Sequence, residues 1–246
     1  MKDKILKLGY SEPEVNELIK VSKDINKDYK KLINGYPIQY LIGYVNFYGY
    51  TINVNENVLI PRYETEYLVE KTIKYCNKKF NKKIDILDIG TGSGAMAISF
   101  AKELNANVCA IDISKEAIKV AKKNANLNNV KIDFIENNLI DNYYKKFDLI
   151  VSNPPYISFD EEIMESVKKY EPNIALYAEE NGLYFYRKIL ENIKKNLNND
   201  FIIAFEIGIT QAENIKRIIK DNFDNVIIKV EKDLSNRDRF IFIISE

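Results

Sequence analysis

Asp85-Ile86-Leu87-Asp88-Ile89-Gly90-Thr91-Gly92-Ser93-Gly94-Ala95 is the stretch on which the fold turns. An apolar run of strand character passes into three glycines at alternate positions and then into a helix-forming segment. Gly90, Gly92 and Gly94 carry no Cβ, so the backbone can bend sharply and come close to a nucleoside-type ligand over the carboxyl end of the strand. Asp112 closes the next apolar run, where a carboxylate can accept from both hydroxyls of a ribose. Asn138 and Leu139 follow the run after that, at the place where an adenine edge and ring face would fall. By itself the loop is ambiguous, because Gly90, Gly92 and Ala95 also satisfy a relaxed dinucleotide fingerprint.

Outward from this loop, apolar runs alternate with helical periodicity. The pattern predicts an α/β fold, a seven-stranded, mostly parallel, doubly wound sheet covered on both faces. The expected strands cover 84–89, 107–111, 131–135, 147–151, 201–205, 225–230 and 240–244, with helices at 64–79, 95–104, 115–125, 183–196 and 211–221. Too few residues separate the last two strands for a crossover helix, so they should pair antiparallel. Upstream, Ser11-Glu12-Pro13-Glu14 reads as a capping box that opens one helix running toward Leu32. Asn34-Gly35-Tyr36-Pro37 breaks it, and alternation around Gly49-Tyr50 suggests a β-hairpin. The expected divisions are a small helical unit at 1–36, a hairpin linker at 37–62 and the sheet domain at 63–246.

Composition narrows the chemistry. The 36 basic and 36 acidic side chains cancel, which argues against a nucleic-acid substrate held by a basic groove. The lysines at Lys78, Lys79, Lys82, Lys83, Lys122 and Lys123 read as solvated helix ends. Cys76 and Cys109 are too few for a disulfide framework or a cysteine-rich metal site, and no metal is expected. There is no histidine, so any catalysis must proceed without imidazole. No signal-peptide core or membrane-length apolar run is present, and a cytoplasmic protein is expected.

The fourth expected strand ends in Asn153-Pro154-Pro155-Tyr156, at the nucleotide crevice of a doubly wound sheet. An amide nitrogen is a poor nucleophile because its lone pair is delocalised into the carbonyl. The Asn153 side-chain oxygen and the Pro154 carbonyl can accept from its two N–H groups, holding the nitrogen for in-line attack and favouring positive charge on it. Pro154 and Pro155 stiffen the backbone that carries these acceptors. Tyr156 can lie against the planar group. No strong base is required, since an alkylated amidium loses its proton to water. A hydride-transfer enzyme has no use for this tetrapeptide, whereas an adenine amino group would suit it as well as an amide.

With these motifs the chain resembles the HemK/PrmC-type release-factor glutamine methyltransferases. The resemblance extends over Pro37-Ile38-Gln39-Tyr40-Leu41-Ile42-Gly43, Phe47-Tyr48-Gly49 and Val58-Leu59-Ile60-Pro61-Arg62-Tyr63-Glu64-Thr65-Glu66. It continues through Glu171-Pro172, Ala175-Leu176, Gly182-Leu183, Asp233-Leu234 and Asp238-Arg239. It implies S-adenosylmethionine as cofactor, leaving as S-adenosylhomocysteine and held by Gly90, Thr91, Gly92, Ser93, Gly94, Asp112, Asn138, Leu139 and Asn153. It implies catalysis by Asn153, Pro154 and Tyr156. The substrate would be the Gly-Gly-Gln glutamine of a class 1 peptide-chain release factor, bound by Asn153, Pro154, Pro155 and Tyr156, with no membrane or direct nucleic-acid partner. Three departures stand out. Only Met1 to Tyr36 precede the linker, where the family usually has a larger helical domain. Asn138 stands in place of an acid, and Tyr63 in place of a proline. Arg62, Glu64 and Glu66 either line the pocket or anchor the helix that follows.

Overall fold

The computed structural model describes residues 1–141 and 143–246. The chain begins with α1 (Lys2–Leu6), α2 (Glu12–Val21), α3 (Ile25–Ile33) and α4 (Ile38–Ile42), followed by the strands β1 (Tyr44–Phe47) and β2 (Tyr50–Asn53). The capping box at Ser11 and Glu14 forms as read. The single helix expected toward Leu32 is instead two: the Asp24 side chain accepts from the Asn26 and Lys27 amides and opens α3 as a new helix. Such a cap competes with continuation of the preceding helix. Ile5, Val15, Leu18 and Leu32 form a small core that also takes in Ile38, Leu41 and Ile42, so packing of the helical unit continues past Tyr36. β1 and β2 make the expected hairpin, with Tyr48 and Gly49 at positive φ as a tight two-residue turn requires.

The main layer runs α5 (Tyr63–Lys79), β3 (Ile84–Ile89), α6 (Ala95–Glu103), β4 (Ala106–Asp112), α7 (Lys115–Leu127), β5 (Ile132–Glu136) and β6 (Phe147–Ser152). It continues through the short helices α8 (Glu165–Tyr170) and α9 (Glu179–Gly182) to α10 (Tyr184–Asn192), β7 (Leu197–Glu206), α11 (Ala212–Asn222), β8 (Val226–Lys232) and β9 (Asp238–Ser245). The helix expected to reach residue 196 stops at Asn192; a 3-10 turn follows, and β7 starts earlier than predicted. Buried Asn196 ends that turn by donating to the carbonyls of Tyr143 and Lys145.

The sheet order is β5-β4-β3-β6-β7-β9-β8, and β9 alone among these strands runs opposite to the other six. Alternation along each strand divides the core between the two faces. Ile86, Leu149, Val151, Ile202 and Ala204 face the α5–α6–α7 side. Leu87, Ile150, Ile203 and Phe205 face the α10–α11 side. All six residues of β6 are buried, as a central parallel strand covered on both faces demands. Strand order reverses between β3 and β6, so a crevice opens at their carboxyl ends. No helix among the described residues is long and apolar enough to cross a membrane.

Candidate active site

The glycine loop turns tightly against β4. Gly90 and Thr91 both donate to the Ile111 carbonyl, and the Gly94 amide returns to the Thr91 carbonyl. Gly94, at φ +83°, is the residue before α6, and a Cβ there would sit 3.1 Å from the Ala121 Cβ; the third glycine thus lets α6 pack on α7. The Asp112 carboxylate is held from both sides, Oδ2 accepting from the Gly92 amide and Oδ1 from the Ser114 amide, each at 2.8 Å. Burial raises its pKa, and these amide bonds oppose the rise. Thr91 turns inward and donates to buried Asp88, whose other oxygen, Oδ1, has no hydrogen-bond partner among the described residues. Burial pushes Asp88 up to about 7.

A cavity lies over this loop. Gly90, Gly92, Asp112, Asn138 and Leu139 line it together with Asn153, Pro154 and Pro155. Thr91, Ser93, Gly94 and Tyr156 are not among its lining residues. One lip is Asn57, Val58 and Leu59 of the linker; the other includes Pro172, Ile174 and Ala175. Buried Glu171 joins the lips, accepting from the Ile60 amide at 3.1 Å and pairing with Arg62. Arg62 is therefore an anchor of the cavity wall, and neither Glu64 nor Glu66 lines the cavity. Buried Asn124 of α7 connects the hairpin to the glycine loop, bonding the Asn53 amide and carbonyl and the Ser93 carbonyl.

Asn153-Pro154-Pro155-Tyr156 leaves β6 beside this cavity, and Ser152 secures the strand end by donating to the Ile89 carbonyl. The Asn153 Nδ2 donates to Thr65 Oγ1 at 3.2 Å, and Thr65 donates to Glu206 Oε2 at 2.7 Å. With Nδ2 so engaged, Oδ1 is the acceptor that Asn153 has left to offer. The Tyr156 hydroxyl meets Glu206 and Arg239, each at 3.4 Å. Glu206 is buried at the end of β7; burial raises its pKa, while the Thr65 hydrogen bond and the Arg239 charge hold it down. The Tyr156 carbonyl accepts from Gln211 Nε2 at 2.9 Å, and Gly182 presses against the same carbonyl. Residue-by-residue reading of the sequence did not identify Thr65, Glu206 and Gln211 as part of the site. Only Glu206, a charge ending an apolar strand, carries a local signal.

The methyltransferase small domain model matches residues 66–170. The chain is 54% identical over 160 residues to a release factor glutamine methyltransferase of Flavobacterium psychrophilum, covering 62% of this chain and 56% of the relative. It therefore spans little more than half the length of that relative. With the release factor glutamine methyltransferase of Enterococcus faecalis it shares 41% identity over 221 residues, covering 88% of this chain and 79% of the relative. A methyltransferase from Pyrococcus furiosus has the same fold, with a TM-score of 0.59, 20% identity, and coverage of 80% of this chain and 89% of the other. On the extent of the Enterococcus match, the chain belongs to the release factor glutamine methyltransferase family.

Proposed function

We propose that this chain transfers a methyl group from S-adenosylmethionine to the side-chain amide nitrogen of the glutamine in the Gly-Gly-Gln motif of a class 1 peptide-chain release factor. The observation that carries this reading is the Asn153 side chain, whose Nδ2 is bound away by Thr65 so that Oδ1 remains as an acceptor beside the glycine-loop cavity. An amide NH2 needs acceptors and no base, and the histidine-free chain supplies acceptors.

The residues present suit the cofactor. A Cβ added at Gly90 or Gly92 would meet nothing within 4 Å, so the loop leaves space for a ligand. Asp112 offers a carboxylate to ribose hydroxyls, Asn138 an amide to the adenine edge, and Leu139, Ile113 and Ile174 apolar surface to the ring. When bound, S-adenosylmethionine supplies an electrophilic methyl group on a sulfonium. Asn153 Oδ1 and the Pro154 carbonyl accept from the glutamine NH2, aiming the nitrogen lone pair and stabilising the positive charge that develops. The prolines keep the two acceptors preorganised, and the Tyr156 backbone is clamped by Gln211. Proton loss to solvent completes the exchange. The helical unit at 1–36 is assigned to release-factor contact, and work on such a substrate would take place in the cytoplasm.

The test is transfer of labelled methyl from S-adenosylmethionine, with release factor and adenine-containing DNA offered in parallel and Asn153→Ala as control. Label on the release-factor glutamine that disappears in the variant supports the proposal. Label on DNA alone, or on neither acceptor, overturns it.

A further inference from the structure

We propose that Thr65 and Glu206 are positioning residues that set which end of the Asn153 amide meets the substrate. The inference deepens the reading above and rests on it.

An asparagine side chain is nearly symmetric in shape but opposite in hydrogen-bonding character at its two ends. With NH2 toward the substrate amide, Asn153 would oppose donor to donor; with oxygen toward it, Asn153 accepts. Something must distinguish the two orientations. A carboxylate supplies that distinction because it has only acceptor atoms. Glu206 Oε2 accepts a hydrogen bond from the Thr65 hydroxyl at 2.7 Å. A hydroxyl has one proton, so Thr65 Oγ1 is then left only with lone pairs, and it can receive only the NH2 end of Asn153, as it does at 3.2 Å. Each member is held on its own account. Thr65 sits buried in the first turn of α5, and the Glu206 backbone carbonyl accepts from the Tyr186 hydroxyl at 2.7 Å. The polarity of the catalytic acceptor is therefore set two hydrogen bonds away, by a buried acid that does not touch the reacting nitrogen.

Three residues from three separate elements, α5, the loop after β6 and β7, converge here. Thr65 and Glu206 are not among the residues lining the glycine-loop cavity, so neither meets a ligand held there.

Two measurements test the relay, the first without any methyl acceptor. NMR on isotopically labelled protein reads the Asn153 side-chain NH2, assigned by its loss in Asn153→Ala. The two protons should be well separated and slow to exchange in the wild type, and should move together and exchange rapidly in Thr65→Val; unchanged signals would overturn the proposal whatever the substrate proves to be. The second is methyl transfer to the release factor at saturating S-adenosylmethionine. Thr65→Val should lower kcat roughly 10- to 100-fold with cofactor affinity kept, the range expected when a reacting group loses its orienting neighbour. Thr65→Ser, which keeps the hydroxyl, should restore most of that loss. Glu206→Gln should lower kcat in the Thr65 background and by much less in the T65V background, where only its contact with the Tyr156 hydroxyl is left to lose. A T65V variant with wild-type kcat would show that the site needs only the volume of this side chain, and additive losses, or T65S as poor as T65V, would likewise overturn the relay. A wild type that methylates no release factor would refute the assigned substrate while the NMR result still decides the relay.

Discussion

Replacing Gly182 by alanine should displace the Asn153–Tyr156 tetrapeptide without touching it in sequence. Gly182 has φ +81°, and a Cβ at this position would lie 2.0 Å from the Tyr156 carbonyl oxygen, 2.8 Å from its carbon and 2.4 Å from Gln211 Nε2. Ordinary contact begins near 3.4 Å, so the Tyr156 peptide must retreat by about 1.4 Å unless α9 moves instead. Three costs follow: left-handed backbone on a residue with a Cβ, loss of the Gln211 hydrogen bond, and local overpacking, together about 3–5 kcal/mol. A misplacement on the order of 1 Å in a positioning segment lowers turnover about 100-fold. Urea unfolding and kcat for methyl transfer measure the two effects. Gln211→Ala is the comparison, because it removes the same hydrogen bond without the collision and should lose about one-tenth as much activity. Wild-type stability and a kcat within about twofold in G182A would refute the claim that this contact seats the tetrapeptide.

Asp88→Asn should change how stability depends on pH. An aspartate raised from 3.8 to about 7 holds its proton more tightly folded than unfolded, so wild-type stability falls as pH rises between those values. The full penalty, roughly 4 kcal/mol, is present above about pH 7 and absent below the unfolded pKa; D88N should remove this share of the slope across that window, and urea midpoints at pH 5 and 8 that keep the full wild-type difference would refute it. Asp112→Asn retains the shape but turns one NH2 toward an amide that now donates to a carboxylate oxygen, so calorimetry should show S-adenosylmethionine binding roughly 10- to 100-fold weaker. Asn124→Ala leaves the Asn53 amide and the Ser93 carbonyl without their partner, and should cost roughly 3 kcal/mol and speed hydrogen exchange in the β1–β2 hairpin; exchange confined to α7 would place the damage elsewhere.

The parts of this molecule legible in sequence are those whose determinants are neighbours in the chain. The apolar run before Gly90, the glycine spacing and the following helix all lie within residues 84–103, and β3 and α6 form there. The inversion of β9 follows from the same kind of local constraint, because the link from Lys232 to Asp238 is too short to carry a crossover. Asp24 shows where local reading slips: the apolar spacing of one helix continues on either side of it, and only its side-chain bonds to Asn26 and Lys27 mark the break.

The active site divides along the same line. Asn153 and its prolines can be singled out from the sequence because the proposed chemistry of a planar nitrogen asks for acceptors at the end of a strand, and the structure places all three on the cavity. What makes Asn153 an acceptor of defined polarity cannot, since Thr65 lies 88 residues before it and Glu206 lies 141 residues after Thr65. A threonine near a helix start and a glutamate after an apolar strand are individually unremarkable, and their meaning arises only when the sheet order brings β6 beside β7 with α5 against them. Tyr156 makes the same point in reverse. Its type and place next to the prolines suggest an aromatic wall for the substrate, yet the turn out of β6 carries its hydroxyl to Glu206 and Arg239. Its carbonyl is held by Gln211. The tyrosine thus shares an acid with the Thr65–Asn153 relay, so a change that moves its ring also perturbs the group that orients the catalytic amide. Tyr156→Phe, which keeps the ring and removes the hydroxyl, separates the two roles: an aromatic wall survives that substitution, whereas a contribution through Glu206 does not.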